Sequence, residues 1–280
     1  MWVSRAGKRG RSLGVLACAA LAVLACGGPN GQSSSSLAKD QTLKVNIVTE
    51  PKVLDPGQTQ YVYEAAVDRQ TFEVLLRPKF DSQGNPTDVE GAAASSWNVS
   101  SDGLTYTFKL RANNWSDGKP VTAADFVTGW KRILDPTLGA PYADPFFDGV
   151  VAGAQSYNDL SPKSDPAKIT AFLSGLGLSA PSPDTFVVKL QQPTPYFKWI
   201  ATLWMGAPVR QDIVQQYGSD KWGAVDPASV KSLVGNGPFM LSELAPNDHI
   251  TLVPNPHWTG QKPSLTKIQM YYISDTNQAT

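Results

Sequence analysis

Cysteine and histidine are scarce in this chain. Among 280 residues there are two cysteines, Cys18 and Cys26, and two histidines, His249 and His257. That shortage excludes much chemistry. A Ser–His or Cys–His nucleophile needs a base beside it, and neither histidine follows a GxSxG elbow. No CxxC, HxxxH or EF-hand spacing occurs, so neither a zinc nor a calcium site is written in local sequence. A glycosidase needs only two suitably spaced carboxylates, and nothing singles out a pair among the acids. Neither a catalytic role nor a cofactor is therefore expected. Long apolar runs are also lacking. The longest, Leu13–Leu24, is about a dozen residues, too short for an ordinary membrane span. Charge of one sign is missing too. The formal net charge is zero, and the first 25 residues hold four basic groups (Arg5, Lys8, Arg9, Arg11) and no acid. Beyond them 20 basic face 24 acidic residues, so no basic stripe is left to follow a phosphate backbone, and nucleic acid is not an expected partner.

What is present is a globular composition, 41% apolar and 17% charged. Basic, apolar and small-residue elements follow one another over residues 1–25 in the order of an export signal. Val23-Leu24-Ala25-Cys26 resembles the lipobox of bacterial lipoprotein precursors. That likeness implies cleavage before Cys26, a lipid on its sulfur, and loss of Cys18 with the signal. Residues 26–40, rich in glycine and serine, read as a flexible tether.

The most informative stretch is Asp102–Pro136. Tyr106, Phe108 and Leu110 alternate with Thr105, Thr107 and Lys109, the period of a half-buried strand. Ser116-Asp117-Gly118 and Pro120 make a turn. Thr122 caps a helix with Asp125 three residues on, and Phe126, Val127, Trp130, Ile133 and Leu134 share one face. Asp135-Pro136 stops it. Elsewhere the spacing predicts strands over Leu43–Val48, Phe186–Leu190, Phe239–Leu244, Ile250–Val253 and Lys267–Ile273. Helices are predicted over Ala65–Leu76, from Phe146 to Ala154, over Tyr196–Leu203 and over Asp212–Tyr217. Asp81–Asn85 is a hairpin-type turn, and Ser161–Pro166 reads as a loop. The mixture predicts an α/β fold with a mixed sheet and an inserted α+β unit.

The string Trp97, Asp102-Gly103, Tyr106-Thr107-Phe108, Leu110-Arg111, Trp115-Ser116-Asp117-Gly118, Pro120-Val121-Thr122-Ala123, Asp125-Phe126-Val127 and Asp135-Pro136 resembles the extracytoplasmic solute-binding proteins of peptide ABC importers, family 5. Leu54-Asp55-Pro56, Gly235–Phe239, Pro246-Asn247-Asp248 and Asn255–Trp258 extend the likeness over Leu43–Ser274. It implies a type II periplasmic-binding-protein-like lobe. Residues 41–77 and 208–270 would form the first lobe and 78–207 the inserted domain. A second lobe would start at 271–280 and continue past Thr280, so the chain reads as truncated. The family's ligand would be an extended peptide, delivered by a monomeric protein, lipid-anchored outside the cell, to membrane permease subunits. Without the second lobe the 280-residue chain is expected to trap peptide poorly. Oligosaccharide, nickel complexes or haem on the same scaffold remain open, as does a surface lipoprotein without transport.

Three segments are the candidate ligand contacts. Gln60-Tyr61-Val62 lies where the family presents an extended edge to its peptide; it also fits a plain lead-in to the helix. Tyr142, after Pro141, matches a tyrosine lining the family's cleft. Asn236, between two glycines, sits where backbone can approach a ligand, or where a left-handed turn is needed. Trp97, Trp115 and Trp130 read as core, and His257 as a turn residue.

Overall fold

The computed structural model describes residues 37–275 apart from 155, 157–159, 162 and 220. The export signal, Cys18, the lipobox with Cys26 and most of the tether lie outside the described residues, as do residues 276–280.

Runs of strands are separated by helices, and the described residues form two four-stranded sheets. The first contains β1 (Thr42–Asn46), β8 (Phe239–Ala245), β9 (His249–Pro254) and β10 (Lys267–Tyr271), in the order β1-β10-β9-β8. β1 runs parallel to β10, while the β10–β9 and β9–β8 pairs are antiparallel. This is the mixed sheet that the pattern predicts. The second sheet is antiparallel, with β4 (Ala94–Val99), β5 (Thr105–Leu110), β6 (Leu178–Ser182) and β7 (Thr185–Lys189) in the order β4-β5-β7-β6. A separate hairpin joins β2 (Leu76–Phe80) to β3 (Pro86–Gly91).

The strand–turn–helix stretch forms as its pattern dictates. In β5, Tyr106 and Phe108 are buried while Lys109 faces water. α2 spans Ala123–Ile133, and the Asp125 carboxylate reaches back to the Thr122 N–H at 2.7 Å. Phe126, Trp130 and Ile133 point inward. They meet Phe108, Phe147, Phe186 and Phe197 in one core, with Trp130 centroids 4.9 Å from Phe147 and 5.4 Å from Phe186. Gly129 is required here. A Cβ on it would collide with the Ala207 carbonyl oxygen, so only glycine lets that backbone pass.

A second core gathers Leu54, Val67, Phe72, Trp115, Trp222, Leu241, Ile250, Leu252, Ile268 and Met270. From Asp40 onward the chain forms one compact unit that carries both cores.

Several boundaries differ from expectation. α1 covers Val62–Thr71, not Ala65–Leu76. Phe72 is already extended, and Leu76 starts a strand because it pairs with Gly91. In β1, Leu43 and Val45 are 43% and 36% exposed, whereas Ile47, just after it, is buried. The region from Phe146 holds a five-residue π-helical turn, Asp144–Asp148. α3 (Pro166–Gly175) was not anticipated. The Asp165 side chain caps it through the Ala167 N–H at 2.8 Å, and proline stands at its first position.

Candidate ligand-binding site

The site is built on the turn after β1. Leu54 and Asp55 are fully buried and anchor it. The Asp55 carbonyl accepts from the N–H groups of Gln58 and Thr59, at 2.9 and 3.0 Å, and its carboxylate accepts from Gly57 at 2.9 Å. Arg132, from α2, donates to the same carboxylate at 2.7 Å, an ion pair with both side chains at least nine-tenths buried. Burial pushes the Asp55 carboxyl above its ordinary value, and the Arg132 guanidinium opposes that rise. Gly223, at φ +81°, lies against this turn; a Cβ there would sit 2.5 Å from the Asp55 nitrogen.

Two more buried acids hold the turn from behind. Glu64 accepts from the main-chain N–H groups of Lys52, Gln60 and Tyr61 at 3.1, 2.9 and 3.1 Å. Asp68, one helical turn on, bonds the Thr59 hydroxyl at 2.6 Å. Burial raises its carboxyl well above the usual range, and its Oδ1 has no partner.

The front of the turn faces outward. Tyr61 is 48% and Val62 86% exposed, although both are large apolar groups. Tyr61 stacks on Tyr63 at 5.2 Å. Tyr142, carried by the segment after α2, donates its hydroxyl to the Gln60 carbonyl at 2.9 Å and meets Trp204 edge-on at 5.7 Å. The structure thus brings Gln60, Tyr61, Val62 and Tyr142 together.

Their main-chain groups are not all available. Backbone is extended only up to Tyr61 (φ −111°, ψ 154°), and Val62 opens α1. The Gln60 and Tyr61 N–H groups are held by Glu64, and the Tyr61 carbonyl accepts from Ala65. What remains is the second lone pair of the Gln60 carbonyl and the N–H of Val62, a first-turn donor of α1. Those two groups flank Tyr61. They are the pair through which one residue of a parallel extended strand is bonded. The structure shows these residues as the lead-in to α1, with those two groups at its start.

Asn236 is placed differently. It is fully buried, and its amide forms a closed pair with the Glu73 backbone, accepting from the N–H at 2.9 Å and donating to the carbonyl at 3.0 Å. The glycines beside it let the chain press on the end of α1; a Cβ on Gly237 would lie 2.6 Å from the Gln70 carbonyl oxygen. Its φ is not left-handed, since Val48 and Asn247 are the described non-glycine residues with positive φ. The close approach at Asn236 is to this protein's own helix.

Sequence reading missed Glu64, Asp68 and Arg132. Glu64 stands three residues after Tyr61, the capping-box interval, and becomes legible once α1 is started at Val62. Arg132 lies 77 positions from Asp55, and no local pattern joins them. Among the described residues no group of three histidine, cysteine, aspartate or glutamate side chains could hold a metal ion. No described helix is long and apolar enough to cross a membrane.

The architecture has known counterparts. An oligopeptide-binding protein, OppA, of Bacillus subtilis is 34% identical over 263 residues, covering 92% of this chain and 44% of its own length. A dipeptide-binding protein of Lactococcus lactis is 35% identical over 272 residues, covering 94% of this chain and 44% of its own. Haemophilus influenzae OppA, solved as a complex with RPPGFSPFR, superposes with a TM-score of 0.72 at 32% identity, over 87% of this chain and 44% of that one. The chain thus spans less than half the length of these relatives, and what it holds matches one lobe of the type II periplasmic-binding-protein fold. The family model of the bacterial extracellular solute-binding proteins, family 5 Middle, matches residues 88–280, and by that match the chain belongs to this family.

Proposed function

We propose that this chain is part of a substrate-binding lipoprotein of an ABC importer, which captures extended peptides between hinged lobes and delivers them to a membrane permease. The observation that carries the reading is the outward strip at Gln60–Val62. Two exposed apolar side chains stand beside a carbonyl and an N–H spaced to bond one residue of an extended chain. Main-chain pairing of this kind gives affinity without reading side chains. Tyr142 holds the Gln60 carbonyl in place and lines the same strip. In this reading residues 41–77 and 208–270 form the first lobe, 78–207 the inserted domain, and 271–280 lead into the second lobe. Asn236 supports the end of α1 from behind the strip. Ligand would stabilise the closed form only by its greater affinity for that form.

The deciding experiment is mass spectrometry of small molecules co-purified with the full-length gene product. A mixture of short peptides is the expected result. A defined glycan, a nickel complex or haem would overturn the peptide assignment. Anchoring is a separate matter. Incorporation of labelled fatty acid into the wild type, lost in Cys26→Ala, is expected; equal labelling of both would remove the lipid from the proposal.

A further inference from the structure

A cavity of about 250 Å³ opens at the C-terminal end of α1, between that helix, the start of β2 and the turn at Thr202–Trp204. It is joined to the strip by contact, since Tyr142 bonds Gln60 on one side and meets Trp204 on the other. Its mouth holds a cation. Arg69 is exposed on α1, and its guanidinium lies 5.5 Å from the centre of the Trp204 ring. Among the described residues Arg69 has no carboxylate partner. Of the other charged groups at the cavity, Arg77 pairs with Glu90 at 2.7 Å and Glu73 with Arg111 at 2.6 Å, while Asp68 is buried and bonds Thr59 through one of its two oxygens. One wall of the cavity therefore carries a positive charge with no carboxylate partner among the described residues, above an apolar floor that includes Phe72, Leu76 and Pro238.

The exposed Arg69 guanidinium calls for an anionic acceptor. A planar guanidinium suits a carboxylate, which can take two of its donors at once. Position sets where that carboxylate lies on the ligand. Arg69 follows Val62 by seven residues, two helical turns, so both share one face of α1 roughly 10 Å apart; a ligand running extended along that face would cover the distance in about three residues. From these observations we infer that the Arg69–Trp204 cavity is a selectivity subsite for a ligand carboxylate about three residues from the one bonded at Tyr61. The carboxylate is an acidic side chain or the ligand's own terminus. The inference rests on the peptide-binding reading above and adds a charge preference to it. An arginine near a helix C-terminus also favours the helix dipole, but that role predicts no ligand preference.

Calorimetric titration of the full-length gene product tests this with three peptide series. One scans a single glutamate along otherwise neutral peptides with amidated ends, one replaces each glutamate by glutamine, and one varies length with a free carboxyl terminus. Wild type is expected to favour the acid over its amide partner about tenfold, at one position or one length. The first series assigns the preference to a side chain and the third to the terminus. Arg69→Gln should bring the ratio towards one, and Arg69→Glu should turn it in favour of lysine at that position. Peptides that bind with the same acid-to-amide ratio in wild type and Arg69→Gln would overturn the subsite and leave the peptide reading intact. If no peptide in any series binds the wild type, both fall together.

Discussion

Trp130 and Asp55 are both fully buried and are held in opposite ways. Trp130 sits among the rings of Phe147, Phe186 and Phe197, with one hydrogen bond from its indole to the Gly206 carbonyl at 3.0 Å. Asp55 sits in a mesh of polar groups, with Arg132, Gly57 and the neighbouring acids Asp68 and Glu64 holding the same turn. The ring core makes a rigid body whose free energy comes from area and packing. The polar mesh fixes the path of a short loop, which packing alone does not do, because hydrogen bonds are directional. The exposed strip is mounted on the second kind of support. Placing it there keeps Tyr61 and Val62 outward with no apolar layer over them.

The contrast can be broken experimentally. Trp130→Ala should cost about 4 kcal/mol of stability in denaturant titrations, the range for a large ring removed from a packed core. A loss under about 1 kcal/mol would mean the ring cluster is not the main support. Arg132→Met should cost about 3 kcal/mol, because it leaves Asp55 buried without its counter-charge. Adding Asp55→Asn to that variant should recover part of the loss; an additive double mutant would show that the pair is not coupled. Gly129→Ala tests the packing between α2 and Ala207. On an open helix this change gains about 1 kcal/mol, but here the collision with the Ala207 carbonyl should make the net effect a loss of about 1–3 kcal/mol. Asn236→Ala should cost about 1–2 kcal/mol by leaving the Glu73 N–H and carbonyl unpaired. In the full-length product its peptide affinity should change less than that of Tyr142→Phe; the reverse order would restore Asn236 as a ligand contact.

The smallest effect is a pH dependence. Asp68 binds its proton more tightly folded than unfolded, so its contribution to stability is complete below the ordinary carboxylate value of 3.8. It declines as pH rises from there towards the raised folded value. Asp68→Asn should flatten that fall when stability is compared from pH 4 to 7. An unchanged slope would place the titration on another group.

Much of this was legible in the chain. β5, the Asp125 cap and the inward face of α2 follow from alternation, capping spacing and helical period, all local properties. The ends of α1 were less so. Leu75 and Leu76 continue a helical pattern in sequence, but the helix has ended before them, and pairing with Gly91 takes Leu76 into a strand. Leu43, Val45 and Ile47 alternate in sequence, yet Ile47 is buried while the other two stay partly exposed, because burial depends on what another element covers. Of the candidate contacts, Gln60, Tyr61, Val62 and Tyr142 converge. Asn236 is turned inward by a helix end that its glycine-flanked motif could not announce.

By itself the sequence determined the α/β class, the strand–turn–helix unit and the family, because these depend on residue order over short spans. Which acids support the strip, which backbone groups stay open and which arginine has no carboxylate partner among the described residues were decided only by tertiary structure. Asp55 meets Arg132 across 77 residues and Glu73 meets Asn236 across 163, and contacts of that separation leave no periodic trace in the chain.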